Sequence, residues 1–164
     1  MLEGSRRTGA GCRQPPVDID QIRHLLGRWR DQPIKAGLAA RAIAVAAARV
    51  HLAAGYDVIV PQLVAHPVLL SEFEAAAADC GAQFLEFVVG VERDQSLQRY
   101  TNRWHAGDDP VHGAAEAPDL EDIGRTYDRL VAFAATRDVA VSLPAGSSTS
   151  MYQAMLSILD DLAR

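Results

Sequence analysis

The sequence predicts a three-layer α/β domain built on a mostly parallel sheet. Three observations carry that expectation. Ala36–Gln62, AGLAARAIAVAAARVHLAAGYDVIVPQ, reads as a helix, a glycine stop and a short apolar strand. Phe84–Val91 (FLEFVVGV) and Val139–Leu143 (VAVSL) are two further apolar runs, each flanked by segments of helical spacing. Strands that alternate with helices need crossover connections, and crossovers give parallel pairing.

Taken in chain order, residues 1–16 are rich in Gly, Arg and Pro and carry no periodicity, so they are expected to be irregular. Residues 17–164 are read as one domain, long enough to bury a core. Val17 would end a first short strand. Ile22, Leu25, Leu26 and Trp29 then fall at helical spacing within Gln21–Arg30. From Ala36 to Ala54 the residues Leu38, Ile43, Val45, Val50 and Leu52 lie all round the helical wheel, which predicts a helix covered on more than one side. Gly55 suits the left-handed position past a helix end. Val58-Ile59-Val60 has no alternation, as expected of a parallel strand covered on both faces. Pro61 ends it and leaves Gln62 at its carboxyl end, where open α/β sheets bind ligands.

Ser71 and Glu74 have the spacing of a capping box, and a start at Pro67 is the alternative. Leu69, Leu70, Phe73, Ala76, Ala77 and Cys80 give that helix one apolar side, and Gly81 stops it. After the strand at Phe84–Val91, Asp94 caps a helix with Leu97, Tyr100 and Trp104 on one face. Ala106–Pro118 is a long polar loop. Asp119 opens a helix expected to turn Leu120, Ile123, Tyr127, Leu130 and Val131 inward. The last strand leads through Pro144–Thr149 to a helix capped by Ser150 with Gln153, burying Tyr152, Met155, Leu156, Leu159 and Leu162.

Composition narrows the function classes. A net charge of −5 argues against a nucleic-acid partner. Fifteen of the sixteen basic residues are Arg, which in an Ala-rich chain reflects coding bias rather than function. Cys12 and Cys80 have no metal or redox spacing and suit a reducing cytoplasm. The opening sixteen residues hold no apolar core of a signal peptide, and Arg41, Arg49 and His51 interrupt the apolar helix. A cytoplasmic protein acting on a small molecule, with no membrane partner, is the expectation.

Three constellations could carry chemistry. In Asp18-x-Asp20-x-x-Arg23, two carboxylates at the end of a strand can hold Mg²⁺ through water or accept a hydroxyl proton; the plainer alternative is that either Asp caps the helix. Arg99 and Arg103, four apart on one helix, repel unless an anion or a carboxylate lies between them. They suit phosphate recognition or, alternatively, a solvated face. Ala145-Gly146-Ser147-Ser148-Thr149 can present backbone N–H groups and hydroxyls at a helix start, or is simply a turn. The five histidines show no ligand or triad spacing.

DIDQIRHLLGRW, HLAAGYDVIVPQ, FLEFVVGVERDQSLQRYTNRW and the late strand with its AGSS loop together resemble the P-loop kinase-like ATP-binding proteins. These are small-molecule phosphotransferases related to gluconate kinase, chloramphenicol phosphotransferase and zeta toxins. The resemblance runs from Val17 to Arg164 in the same order. It implies a P-loop fold, ATP and Mg²⁺ as cofactors, and phosphoryl transfer to a hydroxyl. Asp20 would then be the base, Asp18 would lie near Mg²⁺, and Arg23 and Gln62 would contact substrate. Arg99 and Arg103 would meet the transferring phosphate, and Ala145, Gly146, Ser147 and Ser148 would border the adenine.

The chain departs from that family at its start. It contains no G-x-x-x-x-G-K-[ST]; Gly4–Gly11 has glycines without the lysine, and Lys35 stands far from that position. The first strand–loop–helix unit is therefore missing, and in a 2-3-1-4-5 sheet its strand is the central one. Two consequences are expected. Phosphotransfer would be impaired, leaving a non-catalytic binding protein as the alternative, and exposed sheet surface would favour a homo-oligomer. A displaced start codon or shifted reading frame would replace the segment cleanly, so the coding DNA around Met1 is expected to reveal whether the motif is encoded nearby.

Overall fold

A computed structural model describes residues 16–62, 67–106, 119–143 and 146–162. These form six helices and two short strands: α1 (Ile19–Leu25), α2 (Pro33–Ala53), α3 (Pro67–Asp79), β1 (Glu86–Val89), α4 (Arg93–Ala106), α5 (Leu120–Ala134), β2 (Ala140–Leu143) and α6 (Ser148–Leu162). The chain divides after Gln62 into two compact units.

In the first unit Asp18 starts α1, its Oδ1 accepting the Asp20 and Gln21 backbone N–H groups at 2.9 and 3.1 Å. The helix stops at Leu25, four residues short of Trp29, because Leu26 is extended and Arg28 sits at φ 60°. Trp29 therefore reaches His24 from a turn rather than from a helical face, with ring centroids 4.6 Å apart. The next helix begins three residues earlier than Ala36, with Pro33 at its first position, where proline's fixed φ suits a helix start. α1 packs on α2. Within α2 a stripe of Ala36, Ala40, Ala44 and Ala48 is buried, one residue per turn. Gly55, at φ 82°, reverses the chain as the sequence required. The all-round apolar character of α2 is not matched by burial on more than one side: Ile34, Leu38, Ile43 and Val50 are exposed, Val50 by 70%. By length and mean hydropathy α2 also meets the description of a membrane-crossing helix, as core helices of soluble proteins do.

In the second unit α3 starts at Pro67 rather than at the Ser71 capping box, and buries Leu69, Leu70, Phe73, Ala76 and Ala77. Gly81 closes it at φ 66°. β1 and β2 pair in parallel, Glu86 opposite Ala140 through Val89 opposite Leu143. Asp119 caps α5 through the Glu121 and Asp122 N–H groups at 2.9 and 3.2 Å. α6 packs on β2. It starts at Ser148, and the cap is Ser147, whose Oγ accepts the Ser150 N–H at 3.1 Å, so Ser150 is a donor inside the helix and not its cap.

The three-layer, mostly parallel P-loop-like sheet expected from the sequence is not what forms. Among the described residues helices dominate, and the sheet has two four-residue strands. Val58–Val60 is not a strand. It runs beside Val17, whose N–H donates to the Ile59 carbonyl at 2.9 Å, but the two stretches build no ladder and Ile59 stays 60% exposed. An apolar run becomes a strand only where another stretch pairs with it along a ladder. The inward faces also fill less than expected: Leu120 and Val131 of α5 and Tyr152, Leu159 and Leu162 of α6 are exposed, and among the described residues no large side chain is fully buried. The 1–15 part of the irregular N-terminal segment, most of the 106–118 loop and Ala145 lie outside the described residues.

Candidate functional site

The sequence-derived site residues fall in both units. Asp18, Asp20, Arg23 and Gln62 belong to the first; Arg99, Arg103, Gly146, Ser147 and Ser148 belong to the second.

The first unit gathers the densest chemistry. Asp18 spends Oδ1 on the α1 cap. Asp20, one helical turn before Arg23, forms an ion pair with it, Oδ1 3.2 Å from Nη2, and the pair is shielded to side-chain exposures of 31% and 23%. Asp20 Oδ2 carries no partner among the described residues. Arg23 also lies over the Trp29 ring, 5.2 Å from its centroid, and its Nε is buried without an acceptor. His24 stacks on the same ring with Nε2 likewise buried and unpartnered. Arg30 reaches that indole from the other side of Trp29 in sequence, at 4.5 Å. The turn that allows this is strained, since a left-handed non-glycine residue costs on the order of 1–2 kcal/mol; Arg28 is steadied by its Nε bond to Asp31 Oδ2 at 3.1 Å. Gln62 is half-buried at the end of the unit.

In the second unit Arg99 and Arg103 are both exposed on α4, and Arg103 lies 5.8 Å over Tyr100. The helix that carries them is tied to α5. Arg93 Nε donates to Asp128 Oδ1 at 3.1 Å, and the Tyr127 hydroxyl donates to the Val91 carbonyl at 2.6 Å. At the crossing a Cβ on Gly124 would stand 2.2 Å from Arg93 Nη2, so a larger residue there would displace the Arg93 guanidinium. At the start of α6, Gly146 and Ser147 are exposed and the Ser147 hydroxyl is engaged with Ser150.

A further cluster lies at the amino end of the two strands. Arg137 bonds the Glu74 carboxylate through Nη2 and Glu86 Oε2 through Nε, the latter at 2.8 Å. These bonds to Glu74 first and Glu86 second hold the guanidinium pKa above its ordinary value, against a smaller opposing effect of burial. This is a structural clamp between α3, β1 and the approach to β2. Sequence reasoning missed it, because its members are 63 and 51 residues apart. It also missed the His24–Trp29–Arg30 group, for which the adjacent Arg28-Trp29-Arg30 run was the available signal.

No family model matches this chain, and no match was found among curated proteins or solved structures.

Proposed function

We propose that this chain carries the acceptor side of an ATP-dependent phosphoryl transfer to a hydroxyl of a small molecule. The observation that supports the reading is the Asp20–Arg23 pair: one carboxylate oxygen is held by the guanidinium at 3.2 Å and the other is left to accept a hydrogen bond. A substrate hydroxyl would donate to Asp20 Oδ2. As its oxygen bonds to the terminal phosphorus of ATP, the proton passes to Asp20 and the bond to ADP breaks. Arg23, fixed by Asp20 and Trp29, orients the acceptor, and Gln62 adds a polar contact.

Asp18 suits Mg²⁺ only through its second oxygen and a water, since Oδ1 is committed to the helix cap. Mg²⁺ bound with ATP would neutralise phosphate charge.

The sequence contains no G-x-x-x-x-G-K-[ST] run, and phosphoryl transfer depends almost wholly on positioning and electrostatics. That observation favours a second reading, in which the acceptor site is kept for binding and transfer is lost. Isothermal titration with Mg-ATP separates the two. The expectation for these 164 residues is affinity weaker than about millimolar, which corresponds to roughly 4 kcal/mol of binding free energy. Micromolar affinity with Asp20-dependent transfer would restore the catalytic reading.

A further inference from the structure

We propose that the connected end of the α1–α2 pair docks on an anionic lipid bilayer, with Leu25 and Ile34 entering the headgroup layer among basic side chains. The proposal is independent of phosphoryl transfer at Asp20. α1 packs on α2, and residues 26–32 join them. Leu25, the last residue of α1, and Ile34, the second of α2, therefore lie at one end of the pair. Among the described residues they are the two most exposed large apolar side chains, at 84% and 81%. Leu38, one turn beyond Ile34 on the same face of α2, is exposed too. The left-handed Arg28 turns the chain back so that Trp29 stacks on His24, in the last turn of α1, and this keeps Trp29 and Arg30 at that end.

Charge decides the occupant. Residues 26–56 hold five cations (Arg28, Arg30, Lys35, Arg41 and Arg49) and one carboxylate, Asp31, in a chain whose net charge is −5. Arg28 takes that carboxylate, its Nε donating to Oδ2 at 3.1 Å. Arg28, Arg30 and Lys35 are exposed and alternate in sequence with Leu25, Trp29 and Ile34. A second copy offering the same end would set cations against cations, since Pro33–Ala53 contains no carboxylate to answer them. An anionic bilayer supplies both requirements together. Its acyl boundary takes Leu25 and Ile34, its phosphate and carboxylate headgroups take the basic side chains, and Trp29 sits at the level tryptophan favours. Arg41, Arg49 and His51 count against α2 crossing a bilayer, but a helix end that rests in the headgroup layer meets no such requirement.

Cosedimentation of the full chain with vesicles tests this, with protein alone as the control for pelleting. One set of vesicles is phosphatidylcholine, and the other is phosphatidylcholine and phosphatidylserine at about two to one. The expected result is saturable binding to the mixed vesicles, little to phosphatidylcholine alone, and a bound fraction that falls as salt rises. Lys35→Gln and Arg30→Gln should each weaken binding about fivefold. Leu25→Ser combined with Ile34→Ser should weaken it about tenfold or more, with an unchanged circular dichroism spectrum because both side chains are already exposed. Equal binding to the two kinds of vesicle, or binding that survives the double substitution unchanged, overturns the proposal. Binding to neither overturns it as well; if the double substitution then abolishes self-association in sedimentation velocity, this end belongs to a second copy instead.

Discussion

Arg137 should be the most costly charged residue to replace among the ion pairs described in the second unit. It holds two carboxylates from distant parts of the chain, and its side chain and that of Glu86 keep only 18% and 12% of their surface exposed, against 37% for Glu74. Arg137→Met keeps the aliphatic stem but strands Glu86 beside the strand without a partner. A hydrogen bond to a charged group contributes about 1.5–3 kcal/mol, and breaking a fully buried ion pair costs about 3–5 kcal/mol. With partial solvent access the expected loss is about 2 kcal/mol. Glu86→Gln should cost more than Glu74→Gln, because the Glu74 bond is the more exposed and so the more screened. The pH dependence follows from the raised Arg137 pKa. The contribution is fully present below the guanidinium's unfolded pKa and disappears only as pH climbs through the still higher folded value. Urea unfolding followed by circular dichroism at pH 7 and pH 10 should therefore give the same difference between wild type and Arg137→Met. A loss below about 0.5 kcal/mol, or equal effects of the two Glu→Gln changes, would refute the clamp.

At the α4–α5 crossing, Gly124→Ala alone should be near neutral, the helix-propensity gain of about 1 kcal/mol being offset by expulsion of Arg93 from Asp128. In an Arg93→Ala background the same change should stabilise by about 1 kcal/mol, and a urea-based double-mutant cycle checks the difference. Asp119→Ala should lower stability by about 1 kcal/mol through loss of the α5 cap, read by thermal unfolding. Gly55→Ala should cost about 1 kcal/mol or more despite the open space around it, because φ is +82°; equal stability would contradict the left-handed turn. The exposed Ile34, Leu38 and Val50 of α2 predict concentration-dependent association, which Leu38→Glu should reduce in sedimentation velocity.

Local chemistry was legible in the sequence, and long-range chemistry was not. Asp119 as a cap, Gly55 and Gly81 as helix stops, and the Leu69–Ala77 face of α3 follow from spacing over a single turn or two, where a side chain can reach only its own backbone or its neighbours. Val58–Val60 forms no strand because an apolar run specifies extended chain but not the partners that make a ladder. Helix α1 is shorter than the spacing predicts, because Trp29 keeps helical spacing with Ile22 and Leu25 while the left-handed Arg28 that removes it from the helix leaves no mark in the pattern. The alternative held open for Asp18, a helix cap, is the role its Oδ1 takes. The spacing places Arg23 one turn after Asp20, but neither their ion pair nor the seat of Arg23 on Trp29 is read from it, and the latter depends on that same turn.

The central claim is that Asp20 and Arg23 receive a hydroxyl-bearing small molecule. Backbone ¹⁵N–¹H spectra recorded with a panel of hydroxylated carboxylates and phosphates test it most directly. The account predicts that at least one compound shifts the amides of residues 18–30 saturably, and that Asp20→Asn and Arg23→Gln each weaken that binding tenfold or more, about 1.4 kcal/mol. Shifts confined to other residues, or binding at residues 18–30 that survives both substitutions unchanged, would contradict it.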